Sequence, residues 1–356
     1  MFSEFATQQK SNWYNKVIKE LKGGGFDEKL LWKVPEGVFE PLYTCTETEN
    51  LAYLADFQKS NTWRNCQYIK VLDEKSANKE ALEALNNGTD EILFDLCQNV
   101  TSNLEILLQD ILLPYCAISW QISQNPESFL DSYFGYAVQK NYSLETLTGG
   151  LQLFNNQDFK IENLILKSKQ APNFTILSLT SSKTDLSDFV ADVLAQANFW
   201  IENLANSGIE KSQIIQKIQF KITLENRFFL EIARLKSLRI LFVELAEFHL
   251  EKNIESVNIF AQTTFDLSQN DPNWNLLSNN NQAMAGILGG CQSLCVMPHD
   301  AEKAVFSSRI ARNVSNILKE ESYFDKVYDP TAGAYYIDKL TDSLAESAWE
   351  KFKNLI

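Results

Sequence analysis

The amino-acid sequence predicts an α/β fold, a (β/α)8 TIM barrel with an extended and helical N-terminal arm. Short apolar runs alternate with segments of helical periodicity, which is the pattern of parallel strands joined by helices. Eight such units match the roughly 250 residues that a closed barrel typically needs. A doubly wound open sheet is the alternative, but no GxGxxG follows the first predicted strand, so its dinucleotide-binding form has no support.

Residues 1–75 are predicted to form the arm. Apolar side chains at helical spacing predict a helix within residues 1–22, which ends at the glycine triplet that follows. Residues 30–44 contain two prolines and a glycine, which exclude a long helix, and they are rich in large apolar side chains. Such a segment packs either on its own barrel or on a partner chain, and both interpretations stay open. The candidate partner-interface residues are Trp32, Pro35, Pro41 and Tyr43.

Residues 76–356 are predicted to form the barrel. Ser76 is expected to cap a helix over 78–85, Asp300 is expected to cap one that begins at Ala301, and residues 141–172 are expected to be helical or irregular. The predicted strands are residues 91–96, 116–122, 133–138, 174–179, 218–223, 258–263, 292–297 and 326–330.

Composition excludes several classes of function. The formal net charge of −14 opposes binding to nucleic acid or to an anionic membrane surface. No apolar run reaches the roughly 18 residues of a membrane span, and the first 21 residues lack the apolar core of a signal peptide. The six cysteines are scattered, without the spacing of a zinc site or a disulfide framework. We therefore predict a cytoplasmic protein with buried thiols.

Polar residues at predicted strand ends are the candidates for a site, because barrels carry their active sites at the carboxyl-terminal ends of the strands. A lone histidine without a partner at this face indicates a hydrogen-bonding role more than catalysis. Acidic residues there allow a metal-dependent lyase or hydrolase as an alternative, yet no HExxH or calcium-loop pattern is present, so we predict no metal site. The candidate site residues at the predicted strand ends are Asp95, Gln262, Thr263, His299 and Asp329.

Four stretches of the sequence carry a family resemblance. They are Trp32-Lys-Val-Pro-Glu-Gly-Val-Phe-Glu-Pro-Leu-Tyr-Thr44, Phe229-Leu-Glu-Ile-Ala-Arg-Leu-Lys-Ser-Leu-Arg239, and the Arg309-Ile-Ala-Arg-Asn313 and Asp329-Pro matches near the end. They resemble the methylmalonyl-CoA mutase family. The resemblance implies a barrel that holds an acyl-CoA ester, followed by a domain that carries adenosylcobalamin through an Asp-x-His-x-x-Gly loop. In this family, the barrel and the cobalamin-carrying domain together catalyse a radical rearrangement of the carbon skeleton of the acyl-CoA.

The sequence departs from this family pattern in three ways. It ends at Ile356, so we expect no cobalamin-carrying domain and no cofactor bound by this chain. Phe260, in Ile259-Phe-Ala-Gln-Thr263, stands where the Thr-His-Ser-Gln-Thr pattern of catalytic subunits has a substrate-contacting histidine. Thr180-Ser-Ser-Lys-Thr-Asp185 replaces the Tyr-His-Met-Gln-Glu-Ala-Gly loop after strand four. We therefore expect no catalytic residue.

These departures favour the barrel of a small, non-catalytic (beta) subunit of a methylmalonyl-CoA mutase, the enzyme that interconverts methylmalonyl-CoA and succinyl-CoA. The expected partner is a larger homologous catalytic subunit, in a heterodimer, or a second copy of the chain. An active mutase for another acyl-CoA is the alternative. We also expect aromatic side chains to fill the barrel and exclude a CoA ester, because at least some strand aromatics must face inward. The aromatics in question are Phe94, Trp120, Tyr136, Phe220 and Phe260.

Overall fold

In the computed structural model, the residues described are 9–34, 37–40, 62–96, 103–153, 159–252, 254, 256–264, 271–300 and 304–356. None of the helices in these ranges is long and apolar enough to cross a membrane.

The strands of the main sheet are all parallel and close into a barrel, which confirms the predicted fold class. The ring closes at one strand interrupted at Ile176: its first part pairs with the preceding strand and its second part with the following one. The amides of Ile176 and Leu177 both donate to the Lys217 carbonyl, a local bulge. The strands are β3 (Arg64–Lys70), β4 (Glu91–Asp95), β5 (Ala117–Ile122), β6 (Gly149–Leu153), β7 (Phe174–Thr175), β8 (Leu177–Leu179), β9 (Ile218–Thr223), β10 (Ile259–Gln262) and β11 (Ser293–Cys295), with β1 (Trp32–Val34) and β2 (Gly37–Phe39) in the arm.

The first two helices belong to the arm, and the later helices lie outside the barrel and cover its outer face. The helices are α1 (Lys10–Glu20), α2 (Phe26–Lys29), α3 (Glu74–Leu85), α4 (Leu104–Leu107), α5 (Pro126–Gln139), α6 (Ile161–Lys167), α7 (Leu186–Asn206), α8 (Lys211–Gln216), α9 (Phe228–Leu250), α10 (Pro272–Leu288), α11 (Ala304–Glu320) and α12 (Tyr335–Lys353).

Two strand predictions are wrong, and two strands were missed. Residues 133–138 lie inside α5, where the spacing of buried side chains is that of a helix face. Residues 326–330 form turns and no strand. The missed strands are β3, which precedes the predicted domain boundary at residue 76, and β6, which lies in the stretch predicted to be helical or irregular. The predicted count of eight strands is therefore right only because these errors cancel.

Strand β6 escaped notice because it begins with two glycines, which usually weaken a strand. Here they permit close packing between neighbouring strands. Gly149 has a φ of +105°, and a Cβ at this position would overlap the backbone of Ile118 on β5. A Cβ at Gly150 would overlap Thr175 on β7. The close packing of β5, β6 and β7 therefore requires glycine at both positions.

One predicted helix cap needs correction, and the other stays a prediction. The Asp73 carboxylate caps α3 and accepts a hydrogen bond from the Ser76 amide at 2.8 Å, so Ser76 is inside the helix that it was expected to cap. The predicted start at Ala301 lies outside the described residues. The Asp300 amide donates to the Ser307 hydroxyl, 2.9 Å away, within α11.

The described part of the arm consists of α1, α2 and the β1–β2 hairpin, in which Trp32 pairs with Phe39. The Trp32 side chain is half-buried and packs against the main hydrophobic core. The arm is therefore in contact with its own barrel at this residue. Pro35, Pro41 and Tyr43 lie outside the described residues.

Candidate functional site

A separate apolar cluster, the Phe260 cluster, occupies one half of the barrel interior. It consists of Cys66 on β3, Leu93 on β4, Phe260 on β10 and Cys295 on β11, with Tyr68 and Met297 packed against it. Strands β4 and β10 are not neighbours in the sheet, so side chains from both can share a cluster only inside the ring. Phe260 is 0% exposed. An aromatic ring therefore fills this half of the interior.

A buried carboxylate network lies near the amino-terminal ends of the strands. Glu91 is completely buried, and its two carboxylate oxygens accept hydrogen bonds from Ser119 at 2.5 Å and from Ser293 at 2.6 Å. The Arg64 Nε atom lies 3.1 Å from the same carboxylate. Two hydroxyl donors and one cation therefore surround the Glu91 carboxylate, and they compensate for the water that it loses on burial. The network ties together four strands of the barrel.

Near the carboxyl-terminal ends, polar side chains bond across the interior. The Lys221 ammonium on β9 donates to the Gln121 amide oxygen on β5 over 3.2 Å, although β6 and the interrupted strand β7–β8 separate them on the shorter side of the ring. The Tyr68 hydroxyl donates to the Asp95 carboxylate at 2.6 Å. The Lys221–Gln121 bond crosses the space that an axial ligand would need, whereas Tyr68 and Asp95 lie on the neighbouring strands β3 and β4.

The strands β6 and β9 carry buried amides that are incompletely paired. Gln152 and Gln219 are each 2% exposed. Neither amide atom of Gln152, nor the amide oxygen of Gln219, has a hydrogen-bond partner among the described residues. An unpaired buried polar group costs about 1–3 kcal/mol, so this half of the interior is suited to a polar occupant such as water.

A cavity of about 710 Å³ opens at the amino-terminal end of the barrel. Two cationic side chains, Arg64 and Lys252, contribute to its lining together with polar groups such as Thr148, Asn173 and Asn258. The cavity is therefore suited to an anionic or polar group.

Four of the five predicted site residues lie near the barrel mouth. Asp95 and Gln262 end β4 and β10, and Thr263 follows Gln262 with its hydroxyl accepting a hydrogen bond from the Met297 amide at 2.9 Å. His299 follows β11, with its Nδ1 atom 3.2 Å from the Ser307 hydroxyl. The structure brings these residues to one face of the barrel. Among the described residues, no acidic or basic side chain is paired with the His299 ring for catalysis.

The prediction for Asp329 is wrong, because the strand that would have carried it does not exist. Its carboxylate lies outside the barrel, 2.7 Å from the Lys236 ammonium on α9. Lys236 and the Thr331 hydroxyl hold the pKa of Asp329 below its ordinary value against the opposing effect of burial, which is the largest single influence. Asp329 thus fastens the segment before α12 to α9.

Of the five aromatics considered from the sequence, only Phe260 faces inward, so the expectation that some of them fill the interior holds for this residue alone. Phe94 and Trp120 stack on each other against α5, and Phe220 packs on Phe242 of α9. Tyr136 belongs to α5, where its hydroxyl donates to the Leu108 carbonyl. Helices cover the outer face of a parallel barrel, so aromatic residues are equally at home there.

The residues described do not fit cobalamin or a metal ion. No group of three or more histidine, cysteine or acidic side chains in the described ranges is arranged to hold a metal. Neither histidine stands in an Asp-x-His-x-x-Gly pattern. His249 is buried with its Nε2 atom 2.8 Å from the Asn198 amide oxygen, and burial lowers its pKa.

Sequence reasoning missed Glu91, Tyr68 and Lys221, which form much of the interior. Tyr68 lies on β3, within the range 1–75 that the sequence predicts to be the arm. Glu91 and Lys221 were within predicted strands, and a charged residue inside an apolar strand was a usable signal of an inward-facing site.

Comparison with known proteins gives a consistent family. The family model described as methylmalonyl-CoA mutase matches residues 169–355. The chain is 30% identical to the methylmalonyl-CoA mutase small subunit of Porphyromonas gingivalis, over 99% of this chain and 63% of that protein. It is 24% identical to the small subunit of Propionibacterium freudenreichii subsp. shermanii (99% and 62%) and 25% identical to the methylmalonyl-CoA mutase of Rhizobium meliloti (95% and 56%). The chain therefore spans less than two thirds of the length of these relatives.

Among solved structures, the chain is similar to the dihydropteroate synthase of Xanthomonas albilineans. The TM-score is 0.41 and the sequence identity is 13%, over 72% of this chain and 92% of that one.

Proposed function

This chain belongs to the methylmalonyl-CoA mutase family, and we propose that it is a small-subunit-like barrel that does not itself catalyse the rearrangement. Its role in this proposal is to complete and stabilise a larger homologous subunit that interconverts methylmalonyl-CoA and succinyl-CoA. Adenosylcobalamin would belong to that assembled enzyme and supply its radical chemistry. This chain would bind no cobalamin.

One observation carries the proposal. Phe260 is fully buried in the barrel interior, at the position where the Thr-His-Ser-Gln-Thr pattern has its histidine. A phenyl ring can neither donate a hydrogen bond to a substrate carbonyl nor move a proton. The chain has two histidines, and neither belongs to the Phe260 cluster. The inward position therefore supports packing instead of chemistry.

The interior contacts support the same conclusion for the substrate. The Phe260 cluster fills one half, and the Lys221–Gln121 and Tyr68–Asp95 bonds cross or narrow the rest. A pantetheine chain entering along the axis would have to break these contacts. We therefore expect no saturable binding of either CoA ester tighter than about 1 mM, equivalent to roughly −4 kcal/mol.

Calorimetric titration of succinyl-CoA and methylmalonyl-CoA into the intact chain tests this expectation. Lys221→Met and Gln121→Leu variants remove the cross-barrel bond, and Lys167→Met, which loses only an exposed ion pair between Lys167 on α6 and Asp131 on α5, is the matched control. No saturation for any of the proteins supports a filled axis. Saturable binding by the wild-type chain would contradict it.

Partner assembly needs a separate experiment. Expressed together with a larger mutase-family chain, the protein should co-elute from gel filtration as a heterodimer. The arm is the candidate contact. Trp32→Ala should weaken the complex by about 2 kcal/mol if this residue anchors it. Because Trp32 packs on its own core, a lower melting temperature with unchanged association would assign it to the barrel alone. Failure to form any heterodimer would overturn the partner role.

An active mutase for a different acyl-CoA is the second candidate, and two observations favour it. The amides of Gln152 and Gln219 are buried and incompletely paired, and a polar cavity of about 710 Å³ lies at the end of the barrel. A panel of CoA esters titrated into the chain would distinguish the two. Binding that is saturable and lost in Gln152→Leu would place this candidate first.

A further inference from the structure

Two thiols face each other at the seam where the first and last barrel strands meet. Cys66 on β3 and Cys295 on β11 are direct partners in the parallel register. They come from positions far apart in the sequence, and the pairing of these strands extends over only three residue pairs. This is the point at which the barrel closes in chain order.

The thiols are in contact and are free. Both belong to the Phe260 cluster, and their side chains project from directly paired positions of neighbouring strands. Cys66 is 3% exposed and Cys295 is 0% exposed. The other described cysteines, Cys116 and Cys291, are also buried and free but lie outside this cluster. Cys66 and Cys295 therefore form a pair that the other described thiols do not.

The backbone spacing suits a covalent bond. Neighbouring strands lie about 4.8 Å apart, and disulfides span Cα separations of about 4.4–6.8 Å. Directly paired residues on one face of a sheet send their side chains in the same direction, and both of these point into the ring. The two residues are therefore already in register for a disulfide, and joining the sulfur atoms requires no slip of one strand along the other.

We propose that Cys66 and Cys295 form a redox-active dithiol that closes to a disulfide between the first and last strands of the barrel. The oxidant is a small-molecule disulfide such as oxidised glutathione. One thiol loses its proton and attacks a sulfur of the oxidant, which releases one glutathione. The second thiol loses its proton and displaces the second glutathione, so that two cysteine thiols and one oxidised glutathione become one protein disulfide and two glutathiones.

The surroundings set the conditions under which the bond forms. Burial raises the pKa of the Cys66 thiol, and the neighbouring Cys295 raises it further, so the thiol is protonated and slow to react in the closed barrel. Half-buried Tyr68 and Met297 pack against the pair. Local opening of the short β3–β11 seam would expose both thiols together. We therefore expect the two thiols to remain reduced while the barrel is closed and to oxidise slowly as the seam opens.

The experiment equilibrates the intact chain with glutathione buffers of increasing oxidised fraction, then alkylates the remaining thiols and maps disulfide-linked peptides by mass spectrometry. A peptide containing Cys66 linked to one containing Cys295 is the expected product, with the loss of two hydrogens. Cys66→Ser and Cys295→Ser should each abolish it. Cys291→Ser, a buried thiol outside the pair, should leave it unchanged.

A second measurement keeps the test independent of folding in the variants. The oxidised wild-type chain should melt several degrees higher than the reduced chain, because the bond closes a very long loop and restricts the unfolded state. Recovery of two free thiols at these positions under the most oxidising buffer would overturn the proposal. So would a glutathione adduct on one of them without the cross-link, or pairing of either with another cysteine.

Discussion

Replacing Phe260 by alanine should cost this protein about 3–4 kcal/mol of unfolding free energy. The ring is 0% exposed and contacts side chains from three other strands, so the full transfer free energy of the ring is lost. Completely buried Phe→Ala changes cost about 3–5 kcal/mol, because a cavity remains where the surroundings cannot collapse. The interior of a closed barrel is held by its own hydrogen bonds, which limits such collapse.

Urea unfolding followed by circular dichroism measures the change. Phe229→Ala is the matched control, since this phenylalanine is 45% exposed on α9 and its truncation should cost under about 1 kcal/mol. Equal losses for both variants would refute the packing of Phe260 in the interior.

A double-mutant cycle tests the direction in which the ring points. Phe260→Leu combined with Leu93→Ala should show a coupling of about 1 kcal/mol, because the two side chains share the interior cluster. Combined with Leu294→Ala, whose side chain lies in the outer core, the coupling should be within about 0.5 kcal/mol of zero. The reverse order would place Phe260 on the outer face.

Three further predictions concern the scaffold. Burial raises the pKa of Glu231 from its ordinary value of 4.5 to about 7, so its contribution to stability is complete below 4.5 and is lost as the pH rises through about 7. The unfolding free energy of the Glu231→Gln variant should therefore fall by up to about 3 kcal/mol less than that of the wild-type chain between pH 4.5 and about 7, measured by urea unfolding. An unchanged pH profile would contradict this prediction. Lys236→Met should cost about 3 kcal/mol by leaving the Asp329 carboxylate partly buried without its cation, and adding Asp329→Asn should recover part of the loss; calorimetric melting that shows no recovery would exclude the ion pair. Gly149→Ala should cost about 2 kcal/mol or more because of its positive φ and close strand contact, whereas Gly135→Ala, with open space in α5, should be neutral or slightly stabilising; similar melting temperatures for both would refute this.

The alternation of apolar strands and helices was enough to predict the fold class, because a parallel sheet requires long crossovers and eight of them close a barrel. The pattern did not locate every strand. In β6 the two glycines concealed a strand, and in α5 an apolar run resembled one, since a short apolar run is compatible with either structure.

The position of Phe260 in the family pattern could be inferred from the sequence alone, but its inward direction could not. Strands of a parallel barrel are apolar on both faces, so Phe94, Trp120 and Phe220 had the same sequence signature and lie on the outside. Side-chain direction follows from the strand register, which depends on contacts between residues distant in the chain. For the same reason, the proximity of Cys66 to Cys295 and of Lys221 to Gln121 could not be predicted from the sequence and is seen only in the tertiary structure.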